Sequence, residues 1–124
     1  MPTLEEADAL FARRRDAWLR RDLGAYLACW AEDMTFQSPA HAEPLRGRAA
    51  FADLVRASMA FSTPVRFDVT HLAVRGDAVL AEWVIAIERT ADRRRVEWRG
   101  MSVAEIRGGL IHRWREYWNP ADVA

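Results

Sequence analysis

Apolar residues in the first half of the chain recur at helical spacing, interrupted by short polar and glycine-containing breaks. Thr3 and Glu6 form a capping-box pattern, which is typical of the start of a helix. Apolar positions three and four apart then continue to about Arg21, before the break at Asp22. The pattern predicts four elements in this part of the chain: a helix from Thr3 to about Arg21, a short helix over Ala25–Ala31, a strand over Met34–Ser38 and a helix from Gly47 to about Ala60.

After Pro64 the apolar residues alternate with polar ones, which is the period of a β-strand with one buried face. Short segments with Gly, Asp and Arg separate the alternating stretches and indicate turns. The predicted strands are Val65–Val74, Ala78–Thr90, Arg94–Ile106 and Leu110–Trp118. Short connections favour an antiparallel meander, so we predict an α+β protein with one domain over residues 1–124.

Charge and composition exclude several classes of partner. The 18 basic and 18 acidic residues give zero formal charge, and no apolar stretch approaches the ~20 residues of a membrane span. The runs Arg13–Arg15 and Arg93–Arg95 lack interleaved aromatic residues, so we interpret them as a solvated helix face and a turn. A single cysteine, Cys29, fits a reducing compartment. We therefore expect a cytoplasmic protein that binds neither nucleic acid nor a membrane.

Strand alternation also identifies the polar residues that interrupt the predicted buried face. These residues are His71, Ser102, His112 and Glu116. Ser38 joins them if the first strand turns Phe36 and Ser38 inward. Glu116 stands between Trp114 and Trp118 on one row, and a carboxylate there is costly to bury without partners. Glu116 is therefore predicted to line a ligand pocket or to lie at its rim.

Six tryptophans in 124 residues allow two interpretations, an aromatic core or a flat lining for a small organic ligand. His41, in the loop that follows Ser38, either lies over a ligand at the pocket mouth or is exposed to solvent. The three histidines are far apart in sequence, and no metal-ligand spacing or phosphate-binding glycine motif is present. No metal or cofactor is therefore expected.

Three local features link the chain to a known superfamily. They are Arg21–Tyr26 leading to Trp30–Asp33, Ser38–Pro39 followed by Leu45–Arg48, and Gly109–Ile111 with Trp114–Trp118. They resemble the helix pair, the loop before the third helix and the last strand of the nuclear transport factor 2-like superfamily, closest to its SnoaL-like branch. The resemblance implies three N-terminal helices packed in the concave face of a curved antiparallel sheet, as in a cystatin-like cone. It also implies a pocket between helices and sheet, and a homodimer through the outer sheet face.

Two activities known in this superfamily depend on catalytic residues that this chain does not have. Ketosteroid isomerases carry a carboxylate base where this chain has Ser38, and a buried aspartic acid near the position of Ser102. The last strand of limonene-epoxide hydrolases resembles Trp114–Trp118. Their essential Arg-x-Asp pair, however, falls near Trp83–Ile85, where this chain has neither the arginine nor the aspartate. The resemblance therefore does not favour either mechanism, although the fold alone fits many activities.

SnoaL-like cyclases and related dehydratases suggest a cofactor-free acid–base enzyme: an isomerase, cyclase, dehydratase or hydrolase. The hypothesis is a catalytic pair of Glu116 and His71 acting on a hydrophobic or aromatic molecule. The residues expected to bind that molecule are Trp18, Trp30, Phe36, Ser38, Trp83, Trp98, Ser102, His112 and Trp114. The alternative is a non-catalytic module that binds a hydrophobic ligand or serves in assembly.

Overall fold

The first helix begins at the predicted capping box. The backbone N–H of Thr3 donates to Glu6 Oε1 at 3.0 Å, and that of Glu6 donates to Thr3 Oγ1 at 3.1 Å. Two backbone donors that the helix itself cannot pair are thereby satisfied. The second helix is capped in a similar way, because the Asp22 side chain accepts from the Ala25 N–H at 3.1 Å.

The computed structural model describes residues 1–124, which form three α-helices, six strands and a terminal 3-10 helix. The helices are α1 (Leu4–Leu19), α2 (Leu23–Leu27) and α3 (Arg48–Phe61), and the 3-10 helix covers Pro120–Val123. The strands are β1 (Trp30–Gln37), β2 (Leu45–Arg46), β3 (Ser62–Arg75), β4 (Ala78–Arg89), β5 (Arg95–Arg107) and β6 (Leu110–Trp118). None of the helices is long and apolar enough to cross a membrane.

The strands form one mixed, curved sheet in the order β2-β1-β6-β5-β4-β3. The predicted antiparallel meander is confirmed for β3 to β6. Strand β1, however, lies parallel to β6, and Trp30 pairs with Ile111 at its start. This pairing explains why β1 begins four residues before the predicted strand and why α2 ends early. The two-residue β2 was not predicted, and it pairs with β1 at Thr35 and Phe36.

Two irregularities in strand pairing decide which side chains face the helices. In β3, Val69 pairs with Trp83 but His71 pairs with Glu82, so one residue is unpaired between them. A second shift occurs in β6, where Arg113 pairs with Glu105 but Ile111 pairs with Ile106. An extra residue in one strand reverses the side-chain parity beyond it. The alternation read from the sequence is therefore interrupted at these two places, and β3 has a further shift near its start, between Pro64 and Arg66.

Aromatic residues dominate the core between the helices and the inner face of the sheet. Trp30, Trp83 and Trp114 are the largest fully buried side chains. Trp30 lies 4.5 Å from Phe51 of α3 between ring centroids, and Trp114 stacks on Phe11 of α1 at 5.8 Å. Large buried rings contribute more transfer free energy than any other side chains, so these contacts fix α1 and α3 on the sheet.

Gly100 lies directly under the Trp83 ring, and this contact yields a stability prediction. A Cβ at Gly100 would lie 2.5 Å from Trp83 Cη2 and 2.8 Å from the Tyr117 carbonyl oxygen. Gly100→Ala is therefore expected to lower the free energy of unfolding by about 1–3 kcal/mol, measured by urea denaturation. Gly24→Ala is the matched control, because its Cβ meets nothing closer than Asp22 Oδ1 at 3.8 Å. Equal stability of Gly100→Ala and wild type would contradict the packing described here.

Candidate functional site

A cavity of about 460 Å³ lies between the helices and the inner face of the sheet. Fifteen of the 23 residues that line it are hydrophobic. The lining residues come from all three α-helices, from β1, β3, β4, β5 and β6, from the loop after β1 and from the terminal 3-10 helix. A mostly apolar cavity with a few converging polar groups is the usual form of a small-molecule site.

Glu116 is the one carboxylic acid in the lining of this cavity. Its Oε1 accepts a hydrogen bond from Trp114 Nε1 at 2.8 Å, and its Oε2 accepts one from Trp118 Nε1 at 2.6 Å. Alternate residues of β6 point to the same face, so the sequence Trp-x-Glu-x-Trp places both indoles beside the carboxyl. Each carboxyl oxygen therefore has a fixed donor.

The pKa of Glu116 is raised above its ordinary value of 4.5, chiefly because burial disfavours the charged form. The two indole hydrogen bonds and the charges of Arg14 and His41 act in the opposite direction, but they do not cancel the effect of burial. A carboxyl in this state exchanges a proton closer to neutral pH than a solvated one does, which suits acid–base chemistry.

Arg14 is buried beside this carboxyl, with only 6% of its surface exposed. Its guanidinium carbon lies close to four ring centroids: Trp114 at 4.2 Å, Phe67 at 5.2 Å, Tyr26 at 5.5 Å and Trp30 at 5.9 Å. Its Nε and Nη1 atoms are buried and have no hydrogen-bond partner. The cation is thus held by aromatic faces rather than by an acid.

The interpretation of Arg13–Arg15 as a solvated helix face is wrong for Arg14. Arg13 is exposed and Arg15 half-buried, but Arg14 follows Leu10 by four residues and precedes Ala17 by three. That spacing puts it on the apolar, buried stripe of α1. Helical phase was therefore a signal in the sequence that could have identified this residue.

His41 also lines the cavity, at the loop after β1. Its Nδ1 lies 3.0 Å from Ser38 Oγ, and Ser38 Oγ accepts from the Ala40 N–H at 3.2 Å. Its ring packs edge-on against Phe36, with centroids 6.0 Å apart. Of the two interpretations of His41 from the sequence, the position over the cavity is the one that the structure shows.

The residues predicted to bind a ligand divide into two groups. Those that line the cavity with Glu116 are Trp18, Phe36, Ser38 and Trp98. Those that are buried in the core instead are Trp30, Trp83, Ser102 and Trp114. Ser102 accepts a hydrogen bond from Trp83 Nε1 at 3.1 Å, which gives it a structural role, while Trp114 contacts the site from the core through its bond to Glu116 and its ring against Arg14.

His71 and His112 do not face the cavity, so their predicted orientation is wrong. The His71 side chain is 83% exposed and its Nδ1 lies 3.0 Å from Glu82 Oε1, because the irregularity after Val69 turns it to the outer face. His112 is the extra residue of β6, and its Nδ1 lies 3.6 Å from Asp33 Oδ1. The proposed pair of Glu116 with His71 therefore does not exist, since the two side chains lie on opposite faces of the sheet.

No group of three or more His, Cys, Asp or Glu side chains is arranged to hold a metal ion. The chemistry that this site offers rests on the Glu116 carboxyl, the buried Arg14 guanidinium, the His41 imidazole and the two indole donors.

Comparison with known families agrees with this architecture. The model of the SnoaL-like domain matches residues 11–114, which is most of the chain. The chain belongs to the SnoaL-like domain family. Comparison with curated proteins gives no match.

Solved structures show the same fold over nearly the whole of this SnoaL-like chain. A proposed isomerase from Bacillus subtilis has a TM-score of 0.89 and 24% identity, covering 99% of this chain and 93% of that one. An LEH-like epoxide hydrolase from M. tuberculosis has a TM-score of 0.82 and 23% identity, covering 98% and 88%. A proposed polyketide cyclase from Xanthomonas campestris pv. campestris has a TM-score of 0.80 and 24% identity, covering 96% and 94%. These similarities establish the cone fold and do not fix a reaction, since one fold hosts many activities.

The raised pKa of Glu116 predicts how the stability of this SnoaL-like protein depends on pH. Between 4.5 and the native pKa, the folded state keeps a proton that the unfolded chain has released. The free energy of unfolding of the wild type should therefore fall as pH rises through this window. This group contributes at most about 1.36 kcal/mol per pH unit, and Glu116→Gln should lack the contribution. Urea denaturation of both proteins across this range measures the difference, and a difference that grows with pH in favour of the wild type would contradict the prediction.

Proposed function

We propose that this protein is a cofactor-free acid–base catalyst that acts on a hydrophobic or aromatic small molecule, with Glu116 as the group that accepts and returns the proton. The observation that carries the proposal is the position of Glu116: a half-buried carboxyl with a raised pKa, at the wall of an apolar cavity, held by two indole donors. Precise orientation and a pKa shifted toward neutrality are the two requirements for general-base catalysis.

The first chemical step uses the ionised form of Glu116. A carboxylate oxygen takes the proton from a C–H next to a carbonyl of the substrate. The electron pair of that C–H bond forms the C=C bond of an enolate, and the π pair of the carbonyl moves to its oxygen. Isomerisation, cyclisation and dehydration can all begin with this step, and they differ in where the enolate reacts next. The indole bonds hold both oxygens in place, so little orientation is lost when the proton is transferred.

His41 is the group proposed to exchange a proton with the oxygen side of the substrate. Ser38 Oγ already accepts a hydrogen bond from the Ala40 N–H, so its own O–H can donate to His41 Nδ1. In that tautomer, Nε2 carries the ring hydrogen and can donate it to an enolate oxygen. Ser38 is therefore proposed as a positioning residue for His41.

Hydrogen–deuterium exchange into an aromatic ketone tests the base directly. With 2-tetralone in D₂O followed by proton NMR, the wild type is expected to accelerate loss of the C1 hydrogens over buffer alone. Glu116→Gln should reduce the protein-dependent rate by about 10²- to 10⁴-fold, because it removes the proton acceptor. The matched control is His71→Ala, which changes an exposed residue on the other face of the sheet and should leave the rate unchanged.

Retention of the full exchange rate by Glu116→Gln would contradict the proposal. Binding of 2-tetralone without accelerated exchange would favour the second candidate, a non-catalytic module for hydrophobic ligands. One observation favours that candidate: both Glu116 oxygens already have donors in the protein, so the carboxyl is satisfied without a substrate.

We also propose that two copies associate through the outer sheet face. Met101 and Tyr117 are paired neighbours on β5 and β6, and they are 45% and 57% exposed. Apolar surface of this kind is often covered by a partner. The wild type is expected to sediment as a dimer, and Met101→Glu, which adds a carboxylate beside Glu82, should shift it toward monomer. Ala91→Glu in the β4–β5 turn is the control, and a monomeric wild type would contradict the proposal.

A cytoplasmic location is also part of this proposal. Cys29 is buried and unpaired in the structure. A free thiol of this kind fits a reducing compartment, although it does not require one.

A further inference from the structure

The strongest unexplained feature of the site is the unpaired positive charge of Arg14. Guanidinium groups stay ionised inside proteins, and a buried one normally has a carboxylate partner. None of the ion pairs of the protein within 4.0 Å includes Arg14, whereas its neighbour Arg15 contacts Asp16 at 3.0 Å. No acid of this chain therefore pairs directly with this charge, although Glu116 interacts with it at longer range.

We propose that Arg14 is the anchor for a carboxylate group of the ligand, so that the natural substrate is an aromatic or apolar carboxylic acid. This inference rests on the proposed function, because it names the substrate class of that catalytic site. Its test, however, measures binding alone. The observation behind it is an unpartnered cation, more than nine-tenths buried, in the lining of an apolar cavity.

Only one nitrogen of Arg14 is available to a ligand. Nε and Nη1 are sealed from solvent by the surrounding rings, and they have no hydrogen-bond partner. Nη2 is the remaining nitrogen of this cavity-lining residue, so the proposed contact with the ligand is assigned to it. The contact expected with a carboxylate is therefore a single charge-assisted hydrogen bond rather than a bidentate pair.

The four aromatic rings around Arg14 hold its side chain in place, but they do not supply the hydrogen-bond acceptor that a carboxylate would. The nearest, Trp114, lies 4.2 Å from the guanidinium carbon, and all four belong to buried side chains. Cation–π attraction stabilises the charge in part and keeps the side chain from swinging away. A cation fixed in this way loses little conformational entropy when an anion binds.

The other ionisable groups of the lining do not oppose an anionic ligand. They are the cations Arg15 and Arg89, the neutral or cationic His41, the phenol of Tyr26 and the carboxyl of Glu116. Glu116 is the one acid among them, and together with Arg14 the arginines outnumber it even when its carboxyl is ionised. The net charge of the lining is therefore positive, which matches a monoanion.

Calorimetric titration with 2-naphthoate and its neutral counterpart 2-naphthamide tests this inference. The wild type is expected to bind 2-naphthoate at least about 10-fold more tightly at pH 7, because a hydrogen bond to a charged group is worth about 10- to 100-fold in affinity. Arg14→Met keeps an apolar side chain of similar length in the aromatic cage and should remove that preference. Arg13→Met, the exposed neighbour on α1, should preserve it.

A thermal melt of Arg14→Met separates loss of binding from loss of fold. Equal binding of 2-naphthoate and 2-naphthamide by the wild type overturns the inference, whatever the variant does. Absence of 2-naphthoate binding at millimolar concentration also overturns it, as does a preference that survives in a folded Arg14→Met. If acetate displaces 2-naphthoate at equal concentration, the site holds any small anion and the inference of an aromatic acid is overturned. Failure of this inference would leave the exchange test on 2-tetralone, a neutral ketone, unaffected.

Discussion

Two hydrogen bonds from tryptophan side chains hold the Glu116 carboxyl in an apolar interior, and the rest of the site is arranged around it. These bonds give the indole N–H groups their acceptors and the carboxyl oxygens their donors, and both kinds of group need partners when they are removed from water. They follow from β-strand geometry alone, since Trp114, Glu116 and Trp118 are alternate residues of β6. The carboxyl is therefore oriented by the backbone of its own strand and does not depend on a mobile loop.

The charges of the site are distributed unequally between sheet and helix. Glu116, on the sheet, has two donors, whereas Arg14, on α1, has aromatic faces and no acid. Burial favours the neutral form of the carboxyl but cannot neutralise a guanidinium at accessible pH. The protein thus maintains a fixed cation next to a group whose charge can change, which is an arrangement suited to a substrate that gains or carries negative charge during a reaction.

Local patterns were sufficient to predict most of the fold and part of the site. The Thr3 capping box, the helical period to about Arg21 and the alternation of β4 and β5 all correspond to elements of the structure, because each depends on near neighbours in sequence. Glu116, Trp18 and Trp98 were placed at the cavity by the same periodicities. The parallel pairing of β1 with β6 joins residues some 80 positions apart, as in Trp30 with Ile111, and no local pattern records it.

The errors in the site have two physical sources. An extra residue between Val69 and His71 of β3 and another in β6 reversed the faces of His71 and His112, and the sequence carries no mark of a bulge at either place. Arg14 was missed because a run of three arginines resembles a solvated surface, although its helical phase lies on the buried stripe between Leu10 and Ala17. Charge identity and periodicity gave opposite indications there, and the periodicity was correct.

The interior of this protein holds the Glu116 carboxyl closer to its neutral form than water would. A ¹³C NMR titration of the Glu116 side-chain carboxyl in the folded protein, assigned by comparison with Glu116→Gln, measures this. The titration midpoint is expected to lie above the ordinary value of 4.5. A midpoint at or below 4.5 would contradict it, because the indole donors and the nearby cations would then outweigh burial and Glu116 would be an ordinary ionised acid.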